Sequence, residues 1–276
     1  MNADLERMVM VAGVLALLGT MSAGAQSQAG RPDGCASGEP AARVAACTQQ
    51  LGQRTLDQQA RVRALVNRAT AQEELDQQDL ALKDLQSALD LDSTSALVLR
   101  TRAVVLHRTG RSSDALTDLT RAITAHPDDL SLFKVRGNIY AETGQAGRAV
   151  EDFSKVLDTA PGDLQARQAR ALVLAAAGAH QRAVSDFNRI LGREPRARGV
   201  RAARAFSLFR MQQYRLAIQD WDVLLKDDPN QFPVIYCRGV ARVLSGDAAG
   251  QADVDAIRQQ HPEVATAAAR ACPAGS

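Results

Sequence analysis

LFKVRGNIYAETGQAGRAVEDFSKVLDTAPGD, residues Leu132 to Asp163, reads as two helices broken at Gly144 and closed by Pro161. Outward from this stretch the same landmarks return at a fixed distance. Prolines stand at Pro127, Pro161, Pro195, Pro229 and Pro262, separated by 34, 34, 34 and 33 residues. Leu119, Phe153, Phe187 and Trp221 lie eight residues before a proline, and Ala115, Ala149, Ala183 and Ala217 lie four residues earlier still. Gly110, Gly144, Gly178 and Gly246 fall where a first helix should stop. A period of this length belongs to stacked supersecondary units and not to a single globular core. Each unit therefore reads as helix, short turn, helix and loop. The small Ala lets the two helices approach, and the bulky residue after it fills the groove between neighbouring units. Ala81, Leu85 and Ala88 continue the register backward, with Ser93 in place of the proline, which gives six units between Val62 and Val264.

Composition agrees with an all-α chain. Of the 276 residues 46% are hydrophobic and only 4% aromatic, enough apolar material for a core and too few aromatic residues to suggest sheets. Basic residues number 33 against 31 acidic, so the formal charge of +2 gives no electrostatic case for nucleic acid or an anionic membrane. Residues 9 to 21, VMVAGVLALLGTM, form an uncharged run followed by Ala23-Gly24-Ala25, a small-x-small pattern. Residues 1–25 are expected to be a signal peptide cleaved after Ala25, because the run is too short to span a bilayer. The mature chain would then keep 32 basic and 29 acidic residues, be periplasmic or secreted, and have no stable membrane span.

Catalytic and metal motifs are missing. His107, His126, His180 and His261 are scattered, and there is no H-E-x-x-H, G-x-S-x-G, phosphate loop, C-x-x-C or C-x-x-C-H. The sequence therefore predicts no enzyme, no cofactor and no metal site. Cys35, Cys47, Cys237 and Cys272 allow three pairings in an exported chain. Cys35 with Cys47 would staple the N-terminal edge, and Cys237 with Cys272 would close the other end.

These residues resemble the tetratricopeptide repeat (TPR) family. The period, the Gly or Ala of the first helix (Ala69, Ala103, Gly137, Ala171, Ala205, Gly239), the Ala of the second helix and the closing Pro all coincide. In the quoted unit, Phe133, Gly137, Tyr140, Ala149, Phe153 and Pro161 occupy the family's signature places. The resemblance implies a right-handed α-solenoid of helix-turn-helix units at 62–264, with first helices lining a concave surface and second helices forming the outer wall. The last unit, one residue short and with Gly250 near the place of the Ala, suits a capping repeat. Residues 26–61 would supply an N-terminal segment with a half-repeat capping helix, and 265–276 a C-terminal capping helix and tail.

Two sets of residues need a role. Arg68, Arg102, Arg136, Arg170, Arg204 and Arg238 occupy the first helix of each unit, and Asp84, Asp118, Asp152, Asp186, Asp220 and Asp253 the second, 16 residues later in five units and 15 in the last. An anion or metal ladder is one reading. Six copies at one register favour the other, an internal ion pair in each unit that fixes helix packing. The second set faces the concave surface the resemblance implies: Arg100, His107, Arg108, Lys134 and Asn138, then Phe209, Arg210 and Tyr236. These nominate a groove for a protein or peptide partner, polar toward one end and apolar toward the other. Phe206, Val240 and Leu244 either join that groove or pack against the next helix. Lys134 and Asn138 stand where the family's carboxylate clamp keeps a Lys and an Asn, but Ala169, Gly199 and Ala203 occupy its remaining places, so no full clamp is expected. The expected function is a non-catalytic interaction scaffold of the cell envelope. A glycan or cell-wall ligand stacking on Phe206, Phe209 and Tyr236 is the alternative, and self-association through an end helix is a further one.

Overall fold

The computed structural model describes residues 34–273, and among these there are fourteen helices and no strand. The expected signal peptide at 1–25 lies outside the described residues. The first seven helices are α1 (Pro40–Leu51), α2 (Gln58–Glu74), α3 (Gln78–Leu91), α4 (Ala96–Arg108), α5 (Ser112–Ala125), α6 (Leu130–Glu142) and α7 (Ala146–Thr159). There follow α8 (Leu164–Ala176), α9 (His180–Leu191), α10 (Arg198–Arg210), α11 (Tyr214–Asp227), α12 (Phe232–Leu244), α13 (Ala249–Gln260) and α14 (Pro262–Ala271). The chain divides into two compact units that part inside α7, between Val156 and Leu157.

Helix starts follow local chemistry. The Asp57, Asp129 and Asp163 carboxylates accept from the Ala60, Ser131 and Ala166 amides at 2.8, 3.0 and 2.9 Å, capping α2, α6 and α8. Helix ends obey a stricter rule. In every hairpin the turn places one residue in the left-handed region, at positions 76, 110, 144, 178, 212 and 246. The residue after it donates its amide back across the turn, as Arg111 does to the Leu106 carbonyl at 2.8 Å and Gln213 to that of Leu208 at 2.9 Å. Glycine fills four of these positions, but Asp76 and Gln212 adopt φ of 57° and 58° there. A left-handed Gln carries a steric cost that glycine avoids. Gln212→Gly is therefore expected to stabilise the chain by about 1 kcal/mol, a rise of about 2–4 °C in a thermal melt. Gly144→Gln should move the melt the other way.

In the N-terminal unit the core is a file of aliphatic side chains shared by successive hairpins, with Leu85, Leu99, Leu119 and Leu132 fully buried. Gly137 of α6 faces the Phe153 ring of α7, so closely that a Cβ would stand 2.9 Å from it. A disulfide joins Cys35 and Cys47, both buried against Ala64 of α2. In the C-terminal unit Trp221, Tyr236, Val240, Val254 and Ile257 form the centre of the core, and α14 lays Ala265 and Ala268 on it. A second disulfide ties Cys237 of α12 to Cys272 at the end of α14.

Candidate functional site

The arginine and aspartate series pair within their own units. Arg68 donates Nε and Nη2 to the two Asp84 oxygens at 2.7 Å each. Arg102 with Asp118, Arg136 with Asp152, Arg170 with Asp186 and Arg204 with Asp220 repeat this fork at 2.6–2.8 Å. The five aspartates are buried, and both oxygens of each accept from a guanidinium fork. Hydrogen bonding to the carboxylate raises the Arg68, Arg102 and Arg136 guanidinium values above the ordinary arginine range. A raised value means the stabilisation is fully present below the unfolded arginine value and is lost only as pH climbs past the folded one. Across the neutral range it is constant.

Sequence reasoning missed what the remaining nitrogen does. Arg102 Nη1 donates to Gln86 at 2.7 Å, Arg136 Nη1 to Thr120 at 3.4 Å, Arg204 Nη1 to Asn188 at 2.7 Å and Arg238 Nη1 to Asp222 at 3.0 Å, each acceptor 16 residues upstream. Arg68 reaches Thr48 of α1 in the same way at 3.0 Å. One guanidinium thus holds its own hairpin closed and grips the hairpin before it. Two further arginines join the series. Arg167 and Arg201 donate to Asp186 and Asp220 at 3.2 and 3.1 Å, and to the Pro161 and Pro195 carbonyls at 2.6 Å. They occupy the place that Leu99 and Phe133 hold one period and more upstream, so their spacing of 34 was the only available signal.

The sixth pair is weaker. Arg238 makes a single bond to Asp253, at 2.8 Å, and its Nε is buried without a partner among the described residues. The unit is one residue short, which rotates Asp253 off the fork. Arg242 compensates by donating to Asp253 at 3.2 Å.

The polar residues of the first helices lie on the N-terminal unit. Arg100 of α4 is half-buried and donates to Ser131 at the start of α6 at 2.8 Å. Lys134 and Asn138 are half-buried one turn apart on α6. His107 bridges Ser112 at 2.8 Å and Glu142 at 2.7 Å, and Arg108 pairs with Glu73 of α2. Arg100, His107 and Arg108 are thus already engaged across neighbouring hairpins, and a ligand would have to compete with Ser131, Glu142 and Glu73.

The apolar set is a correction. Tyr236 is 1% exposed and Phe209 5%, so neither offers a ring face to a ligand. Phe209 packs on Tyr214 and Trp221 of its own hairpin, with ring centroids 5.4 and 5.9 Å away. Tyr236 and Val240 lie in the core that α14 covers, while Phe206 and Leu244 keep partial exposure and Arg210 is exposed. With Phe209 and Tyr236 buried, these two rings and Phe206 do not form the exposed platform a glycan reading requires.

The sequence model of the tetratricopeptide repeat family matches residues 100–163 and 134–198. Over residues 100–198 this chain carries tetratricopeptide repeats. Its class is the all-α solenoid of helix-turn-helix units, and TPR proteins are generally non-catalytic scaffolds with protein or peptide partners. A TPR protein from Parabacteroides merdae is 16% identical, with 96% of this chain and 98% of that one covered at a TM-score of 0.59. The C-terminal part of a TPR repeat-containing protein from Cytophaga hutchinsonii is 15% identical over 83% of this chain and 94% of that one, at 0.67. YrrB, described as a TPR protein with an unusual peptide-binding site, is 19% identical over 68% and 95%, at 0.57. At such identities the likeness is one of fold. No curated protein matches the sequence significantly. Among the described residues no helix is long and apolar enough to cross a membrane.

Proposed function

We propose that this TPR protein is an exported, non-catalytic scaffold of the cell envelope that binds a protein segment on the first-helix face of its N-terminal unit. The observation that supports this reading is that Arg100, Lys134 and Asn138 are half-buried polar side chains of the first helices α4 and α6, with Arg100 donating to Ser131 about one turn before Lys134. Donors in such an array fit carboxylates and backbone carbonyls of an extended acidic segment. Export is supported by the apolar run before Ala25 and by two disulfides, bonds that persist in oxidising compartments.

A photo-crosslinking residue at position 138 tests the reading in the intact envelope. It should capture a partner protein while the same residue at Arg121, exposed on α5, captures none, and the bait recovered should begin at Gln26. Arg100→Glu with Lys134→Glu should cut that capture about tenfold or more and reduce its sensitivity to salt. Capture from position 121 alone, or capture indifferent to the charge reversals, would sink the assignment of this face.

A further inference from the structure

The last helix is held to the molecule in two unequal ways. Its apolar hold rests on small side chains, Ala265 and Ala268 buried and Val264, Ala269 and Ala271 partly buried against the same core. The surface beneath is much larger in character, with Tyr236 and Val240 of α12 each 1% exposed and Val254 and Ile257 of α13 beside them. A ten-residue helix is marginal in water by itself, and four alanine methyls with one partly buried valine add modest burial. The second hold is at the two ends. His261, the single residue between α13 and α14, stacks on Phe232 with ring centroids 3.8 Å apart. At the far end Cys272 is bonded to Cys237 of α12.

We propose that α14 is a hinged cover over the apolar face of α12, turning at His261, latched by the Cys237–Cys272 disulfide and released when a dithiol reduces that bond. A thiolate of the dithiol attacks one protein sulfur, forming a mixed disulfide and freeing the other cysteine as a thiol. The second thiol of the reductant then displaces the remaining protein sulfur. The reductant leaves as its own disulfide, and Cys237 and Cys272 each gain one electron and one proton. Cys272 is fully buried and Cys237 nearly so, so the exchange proceeds from frayed states of α14 and its rate reads how often the cover lifts. The face bared by release belongs to the core that holds Tyr236 and Val240.

Hydrogen exchange by mass spectrometry on the full chain decides the matter. Three samples are compared: oxidised wild type, wild type in dithiothreitol, and oxidised Cys272→Ser, in which the Cys35–Cys47 bond is kept. Amides of 265–271 should exchange at least 100-fold faster in the second and third samples, while α10 and α11 keep their protection, and an environment-sensitive apolar dye should brighten. If α14 stays as protected as in the oxidised chain, packing and not the latch holds it and the proposal is wrong. It is equally wrong if the whole C-terminal unit loses protection together with α14, because the bond is then a brace of the unit.

Discussion

Asp186→Ala is expected to lower the stability of the chain by about 3–5 kcal/mol, read as a shift of the chemical denaturation midpoint. Asp186 is 4% exposed and accepts from three nitrogens, the Nε and Nη2 of Arg170 at 2.8 Å and the Nη1 of Arg167 at 3.2 Å. Its removal leaves two guanidinium groups facing a buried void, and Arg167 is itself almost wholly enclosed. The cost is that of stranding charge and not of losing one contact, so replacing one arginine should be milder than replacing the shared carboxylate. Asp253→Ala provides the internal comparison. Its carboxylate is about a quarter exposed and receives single bonds from Arg238 and Arg242, so about 1 kcal/mol is expected there. Equal losses at both sites would show that burial and the fork geometry contribute nothing to these pairs.

Gly250→Ala should be nearly as damaging for a steric reason. Helices α12 and α13 cross with Gly239 and Gly250 in contact. A Cβ on Gly250 would overlap the Gly239 carbonyl oxygen and stand 2.6 Å from Arg242 Cβ and 2.9 Å from the Val243 nitrogen. Two of these obstacles are backbone atoms, which cannot turn aside as a side chain does. The helices must separate, at an expected cost of about 3 kcal/mol. Gly199→Ala, on α10 with nothing within 4 Å of its would-be Cβ, should instead stabilise by about 0.5–1 kcal/mol through helix propensity. A Gly250→Ala chain that melts with wild type would mean the two helices do not approach as described.

The periodic part of the molecule was legible because a solenoid repeats its chemistry. A proline, a glycine and an arginine recurring every 34 residues announce hairpins before any coordinates exist. What varied in type was harder to see. The upstream acceptors of the arginines are Gln86, Thr120, Asn188 and Asp222, which share a register but only partly a chemistry, and Thr48, which lies 20 residues before Arg68. Asp76 and Gln212 hid two left-handed turns because a non-glycine residue there gives no signal. Phe209 and Tyr236 were placed in the groove because helical spacing alone puts them on the first-helix face. That face also packs against the neighbouring hairpin and against α14, and a large aromatic side chain gains more by being covered there than by meeting water. The polar residues of α4 and α6 lie on first helices, but the pairing of Arg100, His107 and Arg108 with Ser131, Glu142 and Glu73 depends on side chains from other units that periodicity does not predict.

The reach of Arg102, Arg136 and Arg204, 16 residues forward to the aspartate and 16 back to the preceding helix, sums to nearly one period. Excising or duplicating a 34-residue block between Arg102 and Arg204 therefore returns every guanidinium to an acidic group ahead and a polar acceptor behind. An insertion of any other length breaks the pattern twice. Such a chain can lengthen or shorten by whole modules through unequal recombination without a compensating mutation, so its reach along a partner is adjustable on an evolutionary timescale while its joints stay the same.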